Sequence, residues 1–156
     1  MCLIAKDHGF FLAKWHGTVV GVYRGPATTQ TATAVSALCV SLLEDAPGPV
    51  TCLMVVERSS PAPDDPVRRV LANWSRDVVP RLAAAVVVSE GGGFRSALVR
   101  GVGVALTALL PHRLPLKFAG SVEEATRSIE RFLPDTSGGA PRLNAEIAQG
   151  RALWLT

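Results

Sequence analysis

The sequence carries few of the residues that announce a chemistry. Only three cysteines occur in 156 residues, Cys2, Cys39 and Cys52, and no two stand in a CxxC pair. His8, His16 and His112 are the only histidines and lie far apart, so no metal-ligand spacing exists and no metal is expected. An odd, scattered cysteine set reads as reduced thiols, two of them core residues. The start "MCLIAKDHGFF" has no basic segment leading into an apolar one, which argues against a signal peptide and for a cytoplasmic protein. No apolar run approaches the ~20 residues that span a bilayer. The longest, Val102 to Leu110, is closed in by Arg100 and Pro111. Aromatics make up only 6% and do not alternate with a basic stripe, so a nucleic-acid partner is not expected. Phosphate-loop, GxGxxG and GxSxG patterns are missing.

What is present is an apolar, mildly basic chain. Apolar residues make up 48%, the net charge is +3, and 13 of the 16 basic residues are Arg. With abundant Ala, Val, Gly and Pro, that bias reads as the codon usage of a GC-rich genome. Arg68, Arg69, Arg76 and Arg81 come closest to a basic cluster, but they fall on the solvent side of one helix. The length suits one domain with a full core.

The most informative stretch is "RLAAAVVVSEGGGFRSALVRGVGVALTALL", Arg81 to Leu110. The uninterrupted apolar run Ala83–Val88 has the look of a strand buried on both faces. Glycines follow, which let the chain turn sharply into a helix packed back on its sheet. Along the rest of the chain, Phe10–His16 and Thr18–Arg24 read as a hairpin and Thr29–Glu44 as a helix. Val50–Val56 reads as a strand, and Asp65 reads as the N-cap of a helix that has Pro66 at its first position and ends by Pro80. Leu114–Phe118 is a short strand. "SVEEATRSIERFL" is a helix with a Ser121/Glu124 capping box and a Glu123–Arg127 pair. "PDTSGGAP" is a flexible breaker, which divides the chain into a domain at 1–134 and a helical appendage at 135–156. The fold class is α/β: one mixed, mostly parallel sheet of about five strands with about four helices, in the order β-β-α-β-α-β-α-β-α.

This order resembles the STAS domain of the bacterial anti-sigma-factor antagonists. "VYRGPATTQTATAV" looks like the family's strand–Gly–helix entry, and "PLKFAGSVEEATRSIERFL" like its closing strand and helix, so the likeness covers about Phe10 to Leu133. The resemblance implies a cofactor-free, non-enzymatic signalling module that binds a protein partner, and in some members a nucleotide or lipid. It also implies a phosphorylated serine at the start of the helix after the third strand. In "ERSSPAPDDP" that role carries over to Ser59 and Ser60, although the flanking Asp and Gly of the family pattern are missing. Asp64 and Asp65 would oppose a phosphate there.

Three further sets of residues are candidates on their own chemistry. Glu57, Ser59, Glu90, Gly91, Gly92, Gly93 and Arg95 form a mouth at the ends of two strands, where backbone N–H groups and an Arg suit a small anion. Glu57 and Glu90 offer acid–base work there if a raised pKa accompanies their convergence. The helix from Phe94 is apolar nearly all round, so Val104 and Ala108, with Trp154 in the tail, are candidates for an interface with a partner or a second copy.

Overall fold

A computed structural model describes residues 1–91 and 115–154. Six strands form one sheet in chain order: β1 (Cys2–Lys6), β2 (Phe10–Trp15), β3 (Thr18–Tyr23), β4 (Thr51–Val56), β5 (Ala84–Ser89) and β6 (Leu116–Ala119). The first two pairings are antiparallel and the next three parallel. The described helices are α1 (Thr29–Asp45), α2 (Asp65–Asp77), α3 (Val122–Ile129) and α4 (Gly139–Trp154). The α/β class and the mostly parallel sheet are as expected; the strand count is one higher. The added strand is β1, whose five residues are all exposed and so carry no burial pattern for a periodicity argument to find. The helix expected from Phe94 lies outside the described residues.

The helices divide between the two faces of the sheet. Successive parallel strands step in one direction, so crossovers of one hand send α1 and α2 to the same side. There Val35, Cys39, Trp74 and Val78 pack on Leu12, Val19 and Cys52. The chain then turns back, and α3 and α4 cover the opposite side with Val122, Ile129, Leu143 and Ile147 against Phe11, Val22, Leu53 and Val86. The segment 135–156, read as a breaker and appendage, begins with a short turn at Asp135–Ser137, and its residues Gly139–Trp154 form a helix that supplies core residues. Gly138 and Gly139, at φ +81° and +67°, make that turn possible.

Local chemistry sets the helix starts, with two departures from expectation. The Thr28 hydroxyl caps α1 in a reciprocal box with Thr31. The cap of α2 is Asp64, not Asp65: its carboxylate accepts from Val67 N at 3.0 Å, which puts Asp65 inside the first turn. At α3, Ser121 caps Glu124 N as expected, but the Glu124 carboxylate accepts from Gly120 N. Arg127 donates to the Glu123 backbone carbonyl at 3.2 Å, so this bond replaces the expected side-chain pair.

Two glycines bring the turn before β2 against the exit of β3. A Cβ built on Gly25 would lie 3.0 Å from Gly9 Cα, while one on Gly48 meets nothing within 4 Å. Because the obstacle is backbone, Gly25→Ala is expected to cost about 1–3 kcal/mol. Urea denaturation is the check, with Gly48→Ala as a near-neutral control. Equal midpoints for the two variants would show that the turns separate freely.

Candidate functional site

The parallel strands β3, β4 and β5 end together, and one residue past each end stands a charge: Arg24 after Tyr23, Glu57 after Val56, Glu90 after Ser89. Backbone bonds from Glu57 N to Tyr23 O (2.8 Å) and from Glu90 N to Val56 O (2.9 Å) continue the ladder to these positions. Glu57 and Glu90 share this edge, as expected, and Arg151 bridges them. Arg24 forks onto Glu57 at 2.7 and 3.0 Å. Arg151, from the last turns of α4, forks onto Glu90 at 2.7 Å on both oxygens and reaches Glu57 at 2.9 Å. The result is an alternating run Arg24–Glu57–Arg151–Glu90 with no net charge.

An aromatic lid closes one end of this run. Trp154 lies over the Arg24 guanidinium, 4.2 Å from ring centroid to Cζ, and donates from Nε1 to the Asp7 carbonyl at 2.6 Å. Its ring meets Phe11 edge-on at 5.9 Å. Trp154, a candidate interface anchor by sequence, is thus held within its own chain; Val104 and Ala108 lie outside the described residues.

The two serines brace the same edge from the loop after β4. Ser59 Oγ donates to the Arg24 carbonyl at 2.8 Å, and Ser60 Oγ to the Gly25 carbonyl at 2.9 Å. They differ in access: Ser59 is exposed, whereas Ser60 is buried. Neither sits at the start of α2, which Asp64 caps five residues past Ser59. Gly91 takes φ +153°, a conformation side chains rarely adopt, so the sharp exit from β5 does depend on glycine. Gly92, Gly93 and Arg95 lie outside the described residues.

The electrostatics restrict what this edge can do. Burial alone would push the Glu57 carboxyl up, but the Arg24 hydrogen bonds and the charges of Arg151 and Arg24 outweigh it and hold the pKa below its ordinary value. Glu57 is therefore ionised at neutral pH and cannot deliver a proton, and its basic oxygens already face two arginines. The raised pKa that acid–base work needs is not found at Glu57. Among the described residues no three His, Cys, Asp or Glu side chains gather to hold a metal ion. No helix among them is long and apolar enough to cross a membrane.

Sequence reasoning found the two carboxylates but missed both arginines. Arg24 had a readable signal, since it occupies the same one-past-the-strand position as Glu57 and Glu90. Arg151 had none, because its place depends on how α4 folds back across the sheet. No family model, no curated protein and no solved structure matches the chain.

Proposed function

We propose that the chain is a non-enzymatic regulatory or protein-interaction module of the STAS-like type, one that associates with a protein partner or with itself. The observation that carries this reading is the filled edge. Parallel α/β sheets hold substrates and ligands beyond the carboxyl ends of their strands. Here that position is occupied by Arg24, Glu57, Glu90, Arg151 and Trp154 of the same chain, paired and neutral. A small anion at this mouth would have to displace bidentate bonds already made to carboxylates, which weighs against the small-molecule reading. Within the STAS-like reading Ser59 is the better phospho-acceptor, since its hydroxyl is accessible and that of Ser60 is not.

The test has two parts. Ester, phosphate and nucleotide substrates should give no turnover, and sedimentation at tens of micromolar should show a concentration-dependent species heavier than the monomer. The apolar excess of the Phe94–Leu110 stretch in the sequence places the contact there, so Val104→Asp should return the protein to a monomer. Turnover abolished by Glu90→Gln, or a wild type that stays monomeric and captures no partner, would overturn the proposal.

A further inference from the structure

At the β1 edge of the sheet a groove of about 260 Å³ opens between β1 and α4. Its walls are apolar: Leu3, Phe11, Ala13 and Leu153 line it, with Trp154 at one end. Leu3 and Leu153 stand 52% and 62% exposed, although each borders a recess deep enough to bury apolar atoms. The polar rim is unbalanced in charge. Glu146 is neutralised by the Met1 ammonium at 2.6 Å and by Arg142 at 2.7 Å. Lys6 lines the groove, is exposed, and has no ion pair among the described residues.

A strand from a second copy is a poor occupant. The register of β1 against β2 jumps between Leu3 and Ala5, so Ile4 is a bulge on the outer edge, and Lys6 follows it. A bulge and a lysine are two of the devices by which sheet edges resist strand addition. An apolar trough with an unpaired cation at its rim has a different complement, an acyl chain bearing an anionic head.

We propose that this groove binds a soluble medium-chain carboxylate, with the chain along Leu3, Phe11 and Leu153 and the carboxylate on the Lys6 ammonium. At about 30 Å³ per water-sized group, the volume takes a chain of roughly eight or nine carbons. The groove shares Trp154 with the charged edge but none of its four ion-paired side chains, and failure to bind decanoate would leave the interaction-module reading untouched.

Isothermal titration with decanoate, and with decan-1-ol as the uncharged chain, tests it on the full-length protein. Decanoate is expected to bind one per chain with a Kd of about 0.1–1 mM, in keeping with the affinity per atom of small ligands. Lys6→Met should weaken decanoate about tenfold, as loss of a charge-assisted hydrogen bond does, and leave decan-1-ol unchanged. Leu3→Asp should abolish both. Lys6 and Leu3 are exposed, so both variants should melt as the wild type does; Lys6→Ala serves as a second charge variant if Lys6→Met does not fold. Non-saturable heats, equal decanoate affinity in wild type and Lys6 variants, or binding to phosphatidylglycerol vesicles without binding of free decanoate would each overturn the proposal. So would a dimer that Leu3→Asp dissolves, because the groove would then belong to a second copy.

Discussion

A chain ending at Pro134 is expected to lose cooperative folding, and Leu143→Ala in the full chain to cost about 2–5 kcal/mol, the range for deleting a buried Leu side chain. Leu143 and Ile147 are 0% and 1% exposed and share a core with Val22, Leu53 and Val86. Without α4, α3 is the one other described helix on that face, and Phe11, which Trp154 meets edge-on, loses its cover. The loss is also polar. Buried Thr126 donates to Asn144 Oδ1 at 3.0 Å, and Glu57 and Glu90 would lose Arg151. Far-UV circular dichroism and urea titration of the two proteins decide the matter. A Pro134-terminated chain with a sharp, native-like transition would show that α4 is dispensable.

Why 135–156 reads as an appendage in the sequence has a physical answer. "PDTSGGAP" is rich in residues that end helices and permit turns, and composition cannot tell a disordered break from a tight one. The structure uses the two glycines at positive φ to reverse the chain, so the same residues are the hinge by which α4 docks. The βα alternation was legible because buried parallel strands such as Thr51–Val56 and Ala84–Ser89 are continuous apolar runs. Helix positions were legible because caps are local: Ser121 acts within three residues as expected, and the cap expected at Asp65 falls one residue earlier, at Asp64. An edge strand such as β1 has no such mark, since its five residues are all exposed and its order comes through pairing with β2. The split of helices between two faces was equally hidden, because α3 and α4 have apolar stripes compatible with either side.

The charged edge was half legible for the same reason. Glu57 and Glu90 are placed by strand register, which the sequence specifies; Arg151 is placed by the packing of α4, which it specifies only through the whole core. A sequence can thus bring carboxylates to one edge and leave open whether they meet a substrate or an arginine.

Glu57→Gln is expected to destabilise the protein by about 2 kcal/mol at pH 7. Removing one partner of a fully buried ion pair costs about 3–5 kcal/mol, because the remaining charge is left without compensation. Here the Arg24 and Arg151 side chains retain about a quarter of their exposure (25% and 26%), so water relieves part of that penalty. The pH dependence follows from the lowered pKa of Glu57. In the unfolded chain a Glu titrates near about 4.3. Below that value the unfolded state takes up a proton that the folded state still resists. The stabilisation from Glu57 is therefore complete above about pH 5 and is lost as the pH falls through the lower folded value. Wild-type stability should drop between about pH 5 and 3 more steeply than that of Glu57→Gln, and the two curves should converge at the acid end. Urea midpoints measured from pH 7 to pH 3 resolve this. Parallel curves across the whole range would mean that the carboxylate gains nothing from its two arginines, and that the edge is held by Trp154 and the backbone ladder instead.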